Sequence, residues 1–165
     1  MNSLTYPEHL QLASLALADG TPPAALGLGP EWTIVDHSDV LGRGSGCLAA
    51  AGERLLDWRA HAHARVRANR EGRLVRLSFG PTLSPCLILA EERTPTRTVL
   101  VYGTLPGHVE CGEEAFIVSM GDDGTVTGRC VAFSRHAWWL ARVGAPVARV
   151  VQRVVTRGYV AGMRP

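Results

Sequence analysis

The chain has no lysine: all 17 of its Lys and Arg residues are arginine. From Gly124 to Pro165 it has no aspartate or glutamate either, while Arg129, Arg135, Arg142, Arg149, Arg153, Arg157 and Arg164 all fall there. A second basic cluster runs through Arg59, Arg65, Arg67, Arg70, Arg73 and Arg76. Blocks of this kind can meet phosphates or anionic membranes. No nucleic-acid fold signature accompanies them, so no nucleic-acid partner is expected. They read as solvated faces that pair with carboxylates elsewhere, with an arginine face on an anionic partner as an alternative. There is no uninterrupted apolar run of membrane-spanning length. A basic segment followed by an apolar core is missing from the N-terminus, and Cys47, Cys86, Cys111 and Cys130 form no Cys-x-x-Cys pair. Reduced thiols and a cytoplasmic location are the expectation.

What is present is enough for one folded domain. The 165 residues are 46% apolar and 19% charged, the balance of a globular chain with its own core. Glu8 to Ala18 reads as a short helix after an extended Leu4-Thr-Tyr-Pro7 opening. Trp32–Leu41 reads as a strand, and Gly42-Arg-Gly-Ser-Gly46 leads into a helix from Cys47 to His61 with Leu48, Ala51 (or Gly52), Leu55 and Trp58 on one face. That glycine run is G-x-G-x-G with no acidic residue about 20 positions on, so it fails the dinucleotide fingerprint. The glycines read instead as a tight turn, and no cofactor is expected.

Short strands then follow at Ala62–Ala68, Arg73–Phe79, Leu83–Glu91, Arg97–Tyr102, Glu113–Met120 and Thr125–Phe133. Gly80-Pro81 and Gly121-Asp-Asp-Gly124 are turn signals between neighbours, which favours an antiparallel meander. His136–Ala161 reads as a closing helix, with Trp139, Val143, Val147, Val150, Val154 and Tyr159 as its apolar stripe. Pro146 lies inside that pattern and should kink it.

The segment Tyr102-Gly-Thr-Leu-Pro-Gly-His-Val-Glu-Cys-Gly-Glu-Glu-Ala-Phe116 holds the densest chemistry. His108 with Glu110, Glu113 or Glu114 could form an acid/base pair, since histidine titrates near neutrality and a carboxylate can orient it. The same groups suit zinc or manganese, although the glycine-rich context reads more simply as a turn that satisfies its own backbone, and no metal is expected. On a strand Glu113 and Glu114 must face opposite ways, so only one can join an interior site. His61 and His63 read as surface histidines among arginines. Cys111 beside His108 lacks a third orienting group for thiol chemistry.

This order of elements, with Leu4-Thr-Tyr-Pro7, Leu41-Gly-Arg-Gly44, Leu55-Leu-Asp-Trp58 with His61, Pro85-Cys86, the Tyr102–Phe116 segment and Phe133-Ser-Arg135, resembles a family of unknown function termed DUF1990. That family lies in the START and birch-pollen-allergen (SRPBCC) superfamily, which also holds polyketide cyclase-like proteins. The resemblance implies an α+β helix-grip fold: a curved antiparallel sheet around a long, proline-kinked C-terminal helix. It also implies an apolar cavity between them. On that expectation a small apolar ligand would meet Tyr102, His108, Glu110, Glu113, Trp138 and Trp139. The alternative is a cyclase- or hydrolase-like enzyme using His108 with Glu110 or Glu113. Fold alone does not transfer function.

Overall fold

The computed structural model describes residues 4–136 and 145–165. A short helix, Ala13–Ala18 (α1), precedes the strand Thr33–Arg43 (β1). Two helices follow, Gly44–Leu56 (α2) and Arg59–His63 (α3). Six strands then run as a meander: Arg67–Glu71 (β2), Leu74–Phe79 (β3), Thr82–Arg93 (β4), Arg97–Thr104 (β5), Glu110–Met120 (β6) and Thr125–His136 (β7). The helix Ala145–Met163 (α4) closes the chain. The sheet order is β1-β7-β6-β5-β4-β3-β2, with every pairing antiparallel. Register shifts at Val40/Gly42 and Ile88/Ala90 mark irregularities of the kind that bend a sheet. The result is an open curved sheet with a C-terminal helix, an α+β helix-grip arrangement.

Around β5, β6 and β7 both faces of this sheet are covered, and that decides the sequence pattern there. Helices α2, α3 and α4 lie on the inner face over Leu100, Phe116, Val118, Val126 and Cys130. The N-terminal segment lies on the outer face, where Tyr6, Leu10, Ala13 and Trp32 enclose Phe133. Alternate residues of β5 and β6 therefore enter different apolar layers, and Val99, Val101, Ala115 and Ile117 fill the outer one. On α4, Tyr159, Val160 and Met163 are the buried anchors, each worth roughly 1.5–3 kcal/mol on removal from water.

The structure differs from the sequence expectation in four places. Glu8 to Ala18 is not one helix: a 3-10 turn at Glu8–Leu10 and α1 are separated by Leu12, whose φ is 64°. The helix expected from Cys47 to His61 is broken at Trp58 (φ 61°), and α3 extends to His63, so the strand expected at Ala62–Ala68 begins only at Arg67. That break turns His61 inward, fully buried, while His63 stays exposed. The apolar stripe of α4 is also rotated from the expected one. Val147, Val150 and Val154 are 60–69% exposed, and the inward stripe is Val155, Tyr159, Val160 and Met163. Gly158 and Gly162 sit against Ala64 and Ala60, so this rotation lets α4 approach α3 closely. Pro146 lies within α4 as described. Trp138 and Trp139 lie outside the described residues, as does the chain just before Ala145 on which the kink expected at Pro146 depends.

Candidate functional site

The Tyr102–Phe116 segment is the β5–β6 hairpin, and its glycines are there for close approach. A methyl group at Gly103 would overlap the Tyr6 hydroxyl, and one at Gly112 would overlap the Phe133 carbonyl of β7. Tyr6 can therefore lie flat on the outer face and reach Glu113, which stands opposite Gly103 in the register.

Glu113 is 3% exposed and turned to that outer face. Its Oε2 accepts from the Tyr6 hydroxyl at 2.7 Å and from the Leu12 amide at 2.8 Å; its Oε1 accepts from the Ser14 amide at 3.0 Å and from the Ser14 hydroxyl. Burial raises its pKa and these four donors pull it back. The left-handed Leu12 is what aims two amides at one carboxylate.

Glu114 faces the other way. Its Oε2 accepts from Tyr102 Oη at 2.9 Å, and among the described residues its Oε1 has only the weakly donating Cys130 thiol at 3.3 Å. It is enclosed by sheet and helices yet keeps part of its surface open to an internal pocket. Desolvation pushes its pKa up to about 7, against the pull of Tyr102 and Cys130 and with the Glu110 charge adding to the rise. Tyr102 Oη also lies 3.1 Å from His61 Nε2. Since the tyrosine proton goes to Glu114, His61 donates from Nε2, and its Nδ1 has no partner among the described residues. Burial holds His61 neutral, down to about 3, and holds the Tyr102, Tyr159 and Cys130 protons on. Trp58, Phe116 and Tyr159 pack around the imidazole with ring centroids within 4.9 Å, which fixes the Tyr102 hydroxyl from behind.

The pocket itself has a volume of about 430 Å3 and lies between the sheet and the middle of α4, Val151 to Tyr159. Val66, Leu77 and Phe79 form one side, and Val151 and Val155 of α4 the other; Tyr102, Glu114 and Tyr159 supply its deep polar end. His108 also lines it. Its Nδ1 accepts from the Glu110 amide at 2.9 Å, and burial lowers its pKa to about 4, so it presents a neutral ring. Gln152 of α4 donates to Ser134 Oγ at 3.1 Å and reaches Glu110 Oε2 at 3.5 Å, tying the helix to β6 and β7.

Tyr102, His108 and Glu110 are thus brought to one pocket, whereas the Glu113 carboxylate is held on the opposite face and Trp138 and Trp139 lie outside the described residues. Glu114 and His61 are the groups the sequence expectation undervalued. Cys111 donates to the Thr5 carbonyl at 3.1 Å on the outer side, and all four thiols are unpaired. Arg149, Arg153 and Arg157 line a second, polar pocket of about 280 Å3 between α4 and β1. Among the described residues no His/Cys/Asp/Glu cluster could hold a metal ion, and no helix is long and apolar enough to cross a membrane. The Gly42–Gly46 run turns β1 into α2, with Gly44 at φ 83° and its amide on the Gly124 carbonyl.

The profile of a family described as a domain of unknown function (DUF1990) matches residues 18–162. The chain belongs to the DUF1990 family. The match begins after Leu4–Pro7 and takes in every residue of the inner pocket described above. A UPF0548 protein of Deinococcus radiodurans is 31% identical over 153 residues, spanning 79% of this chain and 76% of that one. Another, of Dictyostelium discoideum, is 40% identical over 58 residues, 31% of this chain and 27% of that one. Among solved structures, a conserved protein of Geobacillus kaustophilus superposes with a TM-score of 0.56 at 8% identity, over 80% of this chain and 93% of that one. The di-domain ARO/CYC protein BexL of the BE-7585A biosynthetic pathway gives 0.54 at 12% identity, over 94% of this chain and 57% of that one. At such identities the likeness is one of fold, and it agrees with the helix-grip arrangement of this DUF1990 member.

Proposed function

We propose that the protein binds a small apolar or amphipathic molecule between the inner face of the sheet and α4. The observation that carries this reading is the pocket of about 430 Å3, within the usual size of small-molecule sites, with apolar walls and a few convergent polar groups at its deep end. Tyr102, His108, Glu110 and Glu114 are the polar contacts in this reading, and Val66, Leu77, Val151 and Val155 the apolar ones. A cytoplasmic setting fits the unpaired thiols. Native mass spectrometry of the purified protein, followed by untargeted analysis of what is extracted, tests it. A small molecule released on unfolding supports the reading. A protein that emerges empty and takes up no apolar probe overturns it.

A catalytic reading has one specific support, the Glu114 carboxyl held near neutrality beside the Tyr102 hydroxyl, a setting suited to proton transfer. In that case the acid/base group is Glu114, with His108 as a neutral donor, and Glu113 takes no part. Conversion of the extracted molecule by native protein, lost in Glu114→Gln, would separate catalysis from simple binding.

A further inference from the structure

The charge inside the pocket is opposite to the charge of the chain. The protein is arginine-rich with a formal net charge of +2, yet among the described residues lining the pocket there is no arginine. His108 is there but neutral. At the deep end, the groups that face Glu114 are Tyr102 from β5, Cys86 from β4, Cys130 from β7 and Tyr159 from α4, with His61 of α3 behind Tyr102 and Glu110 on β6 itself. None of them is a cation. Among the described residues the carboxylate has one strong donor and one weak one, so it has lone pairs to spare where it lines the pocket. A buried carboxylate in that state needs either a proton or a donor brought from outside.

Resting on the binding reading above, we propose that the ligand is an amphipathic molecule whose head group is a hydrogen-bond donor seated on Glu114. A protonated amine is the best complement, a hydroxyl the next, and a carboxylate the worst. The apolar remainder runs between Leu77 and Phe79 on one side and Val151 and Val155 on the other. An ammonium group gives Glu114 a charge-assisted bond in a low-dielectric setting, where such bonds are strongest. An incoming carboxylate meets Glu114 with like charge and, among the described lining residues, no arginine to receive it.

Three probes of one chain length, octylamine, 1-octanol and octanoate, test this by titration calorimetry of the intact protein below their micelle thresholds. At about pH 8 the amine should bind about tenfold or more tighter than the alcohol, with octanoate weakest. Near neutrality the amine should release protons from the protein, because the bound cation lowers the Glu114 pKa, and this release should vanish at about pH 9. The preference for amine over alcohol should shrink as pH falls toward about 5, where Glu114 is protonated, and disappear in Glu114→Gln. Equal binding of the three probes, or octanoate binding best, overturns the head-group proposal and leaves the cavity reading in place. Failure of all three to bind overturns both. The pH series on native protein keeps the test decisive even if Glu114→Gln does not fold.

Discussion

Glu113 and Glu114 are consecutive on β6 and end in opposite circumstances. On the outer face Glu113 receives four donors from a segment a hundred residues away and ties that segment to the sheet. On the inner face Glu114 receives one tyrosine hydroxyl and one thiol, beside a pocket. The outer carboxylate is saturated and holds structure together. The inner one is undersupplied, which costs stability and leaves it able to respond to a proton or a ligand. The same side chain becomes a fastener or a site according to how many donors the facing layer provides.

Removing the fastener should have the largest effect. Glu113→Ala leaves the Tyr6 and Ser14 hydroxyls and the Leu12 and Ser14 amides without an acceptor on a buried face, a loss on the order of 4 kcal/mol. Urea unfolding at neutral pH should show it, and proteolysis should then cut first within residues 4–32. A loss under about 1 kcal/mol would erase the contrast between the faces.

Glu114→Gln should act in the opposite direction and depend on pH. An ordinary glutamate ionises near 4.5 and the folded Glu114 near 7. Between those values the folded state holds a proton that the unfolded state has lost, so this residue's contribution to stability falls as pH rises through that window. The full penalty, roughly 3 kcal/mol, is present above it. The variant escapes that penalty. It should match native protein at about pH 4 and exceed it by up to roughly 3 kcal/mol at about pH 8. A variant less stable than native protein at both values would make Glu114 a second fastener.

The smallest change sharpens the comparison by improving the inner donors. Cys130→Ser replaces a weak S–H donor with an O–H donor to Glu114 Oε1. It should shift the Glu114 midpoint toward the ordinary carboxylate value, with a stability change under about 1 kcal/mol. An upward shift of the midpoint would contradict the role given to that thiol.

Much of the fold was legible because turn chemistry is local. Gly80-Pro81 and Gly121-Asp-Asp-Gly124 mark their hairpins, and Leu48, Ala51 and Leu55 declare the buried face of α2. The opposite facing of Glu113 and Glu114 follows from strand geometry alone. Which of them turns inward did not, because the sheet is covered on both sides and β6 is apolar in both phases. His61 was hidden for a different reason. Its inward turn depends on Trp58 adopting a left-handed backbone, which a non-glycine residue rarely does and no local pattern announces. The apolar stripe of α4 was misread because valines at 147, 150 and 154 satisfy helical spacing as well as the true inner set does, and the close contacts of Gly158 and Gly162 decide between them.

The contrast between the two carboxylates is tested most directly by a carbon-detected NMR pH titration of the glutamate side chains, assigned with Glu113→Gln and Glu114→Gln. Glu114 should titrate with a midpoint of about 7 in the native protein. A Glu114 midpoint near the ordinary value of 4.5 would mean that water or an unforeseen donor already satisfies it, and would contradict the account.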